Sequence, residues 1–130
     1  MPASYHISSI IACIIVRLEG SISDRDLIEE QRRMFSDPLF KGHYSRLVDG
    51  TEITQFAVSA ETVGALATAA VERGLRKAAL VSNDTDLVYP LMRMYQEQAS
   101  PSAEVAVYCN MQEALQWLAQ SIESIESQLP

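Results

Sequence analysis

Four oxygen-bearing side chains at strand and helix ends are the residues of this chain best suited to chemistry: Asp49, Ser59, Asp84 and Asp86. Leu47-Val48-Asp49 reads as an apolar strand that runs out into polar residues, and the chain re-enters a helix at Ser59-Ala60-Glu61-Thr62. A hydroxyl there sits among unpaired backbone N–H groups at the positive end of a helix dipole, which favours an anion or a phosphorylated side chain. The plain reading of the same serine is an N-cap, worth ~1 kcal/mol on replacement by alanine. Asp49, Asp84 and Asp86 each follow an apolar run. Acids gathered at one edge of a sheet supply the oxygen ligands that a hard cation such as Mg²⁺ requires. Acids in strand-to-helix loops also serve as caps and turn formers. His6 and His43 lie far apart, and no motif sets a serine or cysteine beside either, so no nucleophilic triad is read.

The elements that must position these groups alternate between strand and helix. Tyr5 to Ile10 and Ala12 to Glu19 predict a hairpin, with Gly20-Ser21 as the following turn. Ser23, with Asp26 three residues on, predicts a capping box in which the shorter acid replaces Glu or Gln. The helix behind it carries Leu27, Ile28, Met34 and Phe35 as its apolar stripe and Glu29-Arg33 as a wet-side ion pair. Asp37-Pro38 ends it, because the residue before proline is pushed out of the helical region. Ser45 to Asp49 is the third strand. From Ser59 a helix presents Val63, Leu66, Ala67, Ala70 and Val71, side chains mostly small enough for close approach to a sheet, and Gly74 is its left-handed cap. Lys77 to Ser82 is apolar on both faces and therefore central. A helix with Leu87, Leu91, Met94 and Tyr95 follows; Pro90 requires either an Asp86 cap or a start near Tyr89. Ser100-Pro101 is a break, Glu104 to Cys109 a fifth strand, and Asn110 with Glu113 opens a last helix. The predicted order is ββαβαβαβα.

Composition restricts the function classes. A chain of 130 residues with 48% hydrophobic content supports one core. Ten basic against seventeen acidic residues give a net charge of −7, which repels nucleic acid and anionic membrane surfaces. Arg32-Arg33 and Arg76-Lys77 are the only adjacent basic pairs. Cys13 and Cys109 fit neither a zinc site nor a disulfide scaffold. Buried free thiols in a cytoplasmic protein are expected, although Cys109 beside Asn110 would have a lowered pKa if exposed. The run from Ile7 to Leu18 contains Ser8-Ser9 and Arg17 and falls short of the ~20 residues of a membrane helix. Trp117 is expected in the core or lining a groove.

Several segments together resemble a known family. These are Asp24 to Phe40, with Gln31-Arg32-Arg33 and Asp37-Pro38-Leu39-Phe40, then Leu47-Val48-Asp49, Val58-Ser59-Ala60-Glu61, Asp86-Leu87-Val88, Arg93-Met94-Tyr95 and Glu113-Ala114-Leu115-Gln116-Trp117-Leu118. They are similar to a bacterial family of short, uncharacterised proteins described as STAS-like, or as similar to anti-sigma factor antagonists and to the lipid-binding CRAL-TRIO fold. The resemblance spans nearly the whole chain. It implies a single STAS-like α/β domain with a mostly parallel mixed sheet and a non-enzymatic regulatory or protein-interaction role, without a cofactor. In anti-sigma factor antagonists a serine within an Asp-Ser-Ser-Gly run at the start of the second helix is phosphorylated by a partner kinase. Here Ala57, Val58, Ser59 and Ala60 stand in that run, so Ser59 is the regulatory phosphorylation candidate although the acid and the glycine are absent. The CRAL-TRIO likeness implies instead a lipid or small-molecule carrier, with a pocket lined by Val58, Leu66, Leu91 and Tyr95. Ser82-Asn83-Asp84-Thr85-Asp86-Leu87 is similar to a segment of NYN and PIN-like nucleases, in which acids hold Mg²⁺ for phosphodiester hydrolysis. Asp49, Asp84 and Asp86 would be the ligands, but the first strand lacks the acid that those enzymes carry.

Residues 1–120 are expected to form the domain and residues 121–130 a helical extension or tail. Ile122, Ile125 and Leu129 are spaced to form a stripe there, a candidate homodimer or partner contact. The leading expectation is an interaction or regulatory domain that binds a small anion or apolar ligand near Ser59 and Asp86, with an unknown protein partner and no nucleic acid.

Overall fold

A computed structural model describes residues 2–83 and 86–128, with side chains up to residue 120. Its elements are β1 (Ala3–Ser8), β2 (Cys13–Ser23), α1 (Asp24–Ser36), β3 (Ser45–Ala57), α2 (Ala60–Glu72), β4 (Lys77–Val81), α3 (Val88–Ala99), β5 (Glu104–Tyr108) and α4 (Met111–Gln128). The ββαβαβαβα order is the predicted one. The strands lie side by side in chain order, with β1 antiparallel to β2 and every later neighbour parallel. Crossovers of one hand that advance in one direction deliver their helices to one face of a sheet. Accordingly, α1, α2 and α3 share a face, and their Met34, Val63 and Met92 pack on the sheet side chains there. Helix α4 follows the last strand and covers the other face through Ala114 and Leu118 over Cys13, Leu47, Ala79 and Val81. The hairpin end of that second face, Ser4, His6, Arg17 and Glu19, is exposed, as antiparallel strands permit.

Local signals set most boundaries. Ser23 and Asp26 complete the capping box, the Ser23 side chain taking the Asp26 N–H and the Asp26 carboxylate taking the Ser23 N–H. Gly74, at φ +102°, closes α2. Its own N–H reaches Val71 C=O while the Leu75 N–H reaches Ala70 C=O, the paired bonds of a Schellman motif. Asn110 caps α4 by accepting from the Glu113 N–H at 2.9 Å. Helix α3 starts at Val88 with no side-chain cap on Leu87. This is the alternative start near Tyr89, and Pro90 falls in the first turn, where its missing N–H costs little.

Three expectations are corrected. Gly20-Ser21 is not a turn: β2 runs on to Ser23, and the glycine, at φ +71°, sits in a stretch of shifted register against β3, the bulge that an isolated strand glycine signals. The third strand extends to Ala57 because this lengthened β2 pairs with it as far as Ser23 opposite Ala57. On α1 the ion pair is Arg25–Glu29 at 2.9 Å rather than Glu29–Arg33. The Arg33 guanidinium donates instead to Ala3 C=O, tying the helix to the edge strand.

At Gly42 the loop after α1 runs tight against the backbone at the end of α2. Any Cβ there would collide with the carbonyl of Arg73, a backbone atom with no freedom to yield. In urea denaturation, Ser23→Ala is expected to lose ~1 kcal/mol and Gly42→Ala about 3 kcal/mol. Equal stability of Gly42→Ala and the parent would contradict this packing of the α1–β3 loop on the end of α2.

Candidate functional site

The parallel registers place the side chains of Ile14, Arg46, Ala78 and Val105 in one row across the helix-covered face, next to a row of Val16, Val48, Leu80 and Val107. Seven of these eight positions are apolar. Arg46 is the exception, on the central strand β3, and only 3% of it is exposed. Glu30 lies on the inner stripe of α1, three residues after Leu27 and four before Met34, and is 5% exposed. Neither side chain had been singled out from the sequence. The readable signal was a charge at a position where helix or strand periodicity demands an apolar residue.

These two charges line a cavity of about 100 Å³ between the sheet and the helical layer. Its floor is Val16, Leu18, Arg46, Val48, Ala78 and Leu80, and its roof is drawn from α1, α2 and α3, with Leu27, Glu30, Leu66, Leu91 and Tyr95 among its residues. Ala78, beside Arg46 in the row, contributes no more than a methyl group and so leaves room. Three of the four residues expected to line a carrier pocket, Leu66, Leu91 and Tyr95, do line it, whereas Val58 is buried in the adjoining core.

The polar centre is under-satisfied. Arg46 Nε and Nη2 and Glu30 Oε1 are buried and have no hydrogen-bond partner among the described residues. Glu30 and Arg46 are not among the direct ion pairs of the described residues, Arg17–Glu19 and Arg25–Glu29, although each favours the other's charge. Burial pushes the Glu30 carboxyl up to about 7, with Arg46 and Arg33 pulling the other way. Burial also lowers the Arg46 pKa, opposed by Tyr95 and Glu30. Tyr95 is raised by burial and drawn back by Arg46. The rings of Phe35 and Phe40 each stand 5.8 Å from Arg46 Cζ, close enough for cation–π attraction to replace part of the lost hydration.

The residues expected from sequence lie elsewhere. Ser59 is the exposed N-cap of α2: its Oγ accepts from the Thr62 N–H at 3.1 Å and stands 3.2 Å from Asp24 Oδ2, while its own N–H donates to Asp24 Oδ1 at 2.8 Å. The α1 and α2 N-termini are thereby joined. Asp49 Oδ1 accepts from the N–H and hydroxyl of Thr51 at 3.0 and 2.7 Å. Asp86 is exposed, and Asp84 lies outside the described residues, as do the side chains of the Ile122, Ile125 and Leu129 stripe. Among the described residues no three His, Cys, Asp or Glu side chains gather to hold a metal ion. Cys13 is buried as expected, whereas Cys109 is exposed. Trp117 packs on Tyr108, with Lys77 Nζ 4.0 Å from its ring centroid. No helix of the described residues is long and apolar enough to cross a membrane.

No protein-family model matches the chain, and no curated protein matches it. Among solved structures, the chain is similar to an uncharacterised protein of the DUF3478 family with a SpoIIAA-like fold from Shewanella loihica PV-4. The TM-score is 0.59 at 14% identity, over 89% of this chain and 91% of that one. The fold is thus SpoIIAA-like, as the STAS-like resemblance implied.

The raised carboxyl fixes how stability responds to pH. The folded state holds the Glu30 proton up to about 7, against 4.5 as the ordinary value, so its contribution is fully present below about pH 4.5 and is lost as pH rises through 7. Relative to the parent, Glu30→Gln is expected to gain about 3 kcal/mol at pH 8 and little at pH 4.5. Parallel stability–pH curves for the two proteins in urea would contradict a buried, unpaired Glu30.

Proposed function

We propose that this domain acts by binding, taking a small, mainly apolar ligand between its helical layer and its sheet, with a regulatory or protein-interaction output. The single observation that carries this reading is the cavity under α1, α2 and α3, whose walls are apolar except at Gln31 and at the Glu30, Arg46 and Tyr95 centre. A ligand there would touch all three helices and so bias how they sit on the sheet. A carrier role uses the same cavity and differs only in whether the ligand is cargo or signal.

Ser59 supports a second, surface-level element of that regulation. A phosphate on its exposed hydroxyl would face the Asp24 carboxylate at the present 3.2 Å, and like charges at that separation repel. Phosphorylation would therefore loosen the tie between the starts of α1 and α2. Ser59→Glu is expected to speed amide exchange in residues 24–27 and 60–63, while Ser59→Ala should cost ~1 kcal/mol of stability. Unchanged exchange in Ser59→Glu would remove Ser59 from the proposal.

The binding reading is tested by titrating the protein with 1-octanol while following thermal unfolding. Saturable stabilisation is expected, about 5 °C at tenfold excess over Kd. Ala78→Leu, which fills the cavity floor, should abolish it. A melting temperature that does not move, or moves equally in Ala78→Leu, would contradict an interior ligand.

A further inference from the structure

The two unpartnered nitrogens of Arg46 are not an arbitrary pair. Nε and Nη2 form the side-on edge of a guanidinium, two parallel N–H donors at the spacing of two carboxylate oxygens. They belong to a residue that lines the apolar cavity, as does Glu30 with its unpartnered oxygen, and the ring centroids of Phe35 and Phe40 each lie 5.8 Å from the same guanidinium carbon. Buried donors left in this state are costly unless something satisfies them, and among the described residues no group does so.

We propose that the cavity recognises a small monocarboxylic acid, its carboxylate gripped side-on by Arg46 Nε and Nη2 and its hydrocarbon tail lying among Leu27, Leu66 and Leu91. This deepens the apolar-ligand reading and rests on it. Three features select the head group. A planar monoanion matches the two-donor edge, whereas a phosphate dianion would bring a second charge into a site with one cation, at a large desolvation cost. An amine would meet Arg46 as a like charge. An alcohol offers one uncharged oxygen where a carboxylate offers two charged ones. Glu30 supplies the remaining contact: when protonated it is a donor that a carboxylate oxygen can accept from, and when ionised it repels the ligand. The groups that bear on its charge are Arg46 on β3, Arg33 on α1, Tyr95 on α3 and Tyr5 on β1, while the α2 and β4 residues of the cavity wall, Val63, Leu66, Ala78 and Leu80, carry no charge.

The test is calorimetric titration of the full chain with octanoate, 1-octanol, octylamine and octyl phosphate at pH 6 and pH 8. Octanoate is expected to bind at least about tenfold more tightly than the other three at pH 6, and to weaken about tenfold at pH 8 as Glu30 loses its proton. Glu30→Gln should bind octanoate equally at both pH values, and Arg46→Met should level octanoate with octanol. Arg46→Gln provides a second variant, and the ligand series on the unmutated protein decides the question even if both arginine variants fail to fold. Octanol binding as tightly as octanoate, or octanoate unaffected by loss of Arg46 in a folded variant, would overturn the carboxylate assignment and leave the apolar-ligand reading standing. Failure of every eight-carbon probe to bind would overturn both.

Discussion

A guanidinium in the middle of a parallel sheet constrains everything around it. Taking an isolated charge from water into a protein interior costs several kcal/mol, and Arg46 on the central strand cannot extend to solvent as a surface arginine would. The surroundings answer in kind. Phe35 and Phe40 offer ring faces, Tyr95 and Glu30 offer negative or polar character, and the neighbouring row position is an alanine. Replacing the polar and aromatic groups with aliphatic residues would leave the charge stranded.

This polar centre also explains why the helical layer is coupled. Glu30 comes from α1, Tyr95 from α3, and α2 closes the roof between them with Val63 and Leu66. The Gln31 side chain donates to Leu66 C=O at 3.4 Å, linking α1 to α2 over the cavity. At the other end of the same helices, Asp24 holds the Ser59 N–H. Glu30 and Tyr95 thus share one cavity with α2, and α1 and α2 are joined both there and at the Ser59 surface. On the opposite face α4 packs on Ala79 and Val81 through Ala114 and Leu118, and its Trp117 lies against Tyr108 and the Lys77 ammonium.

The backbone plan was legible in the sequence because its punctuation is local. Ser23 with Asp26, Pro38, Gly74, Pro90 and Asn110 each act within one turn of chain, so residue type and spacing suffice to place them. Gly20 misled because glycine serves a turn and a bulge equally well, and only pairing with β3, more than thirty residues away, decides between them. The site was harder to read for the same reason. Ser59 and the aspartates stand out because they lie at element ends, where polar residues are conspicuous, whereas Glu30 and Arg46 are sixteen positions apart and meet only through the packing of α1 on the sheet. Their signal was a violation of amphipathic period, Glu30 between Leu27 and Met34 and Arg46 in phase with Val48. Such violations deserve the same scrutiny as motifs, because a buried charge persists in a core only where something compensates for it.

The central claim is that α1 carries a carboxyl group held in an apolar interior opposite an arginine that does not neutralise it by direct contact. NMR titration of the Glu30 side-chain carboxyl carbon in selectively labelled protein reads that environment directly. A midpoint raised to about 7 is the expected result, and a midpoint near 4.5, the ordinary value for a solvated glutamate, would contradict it.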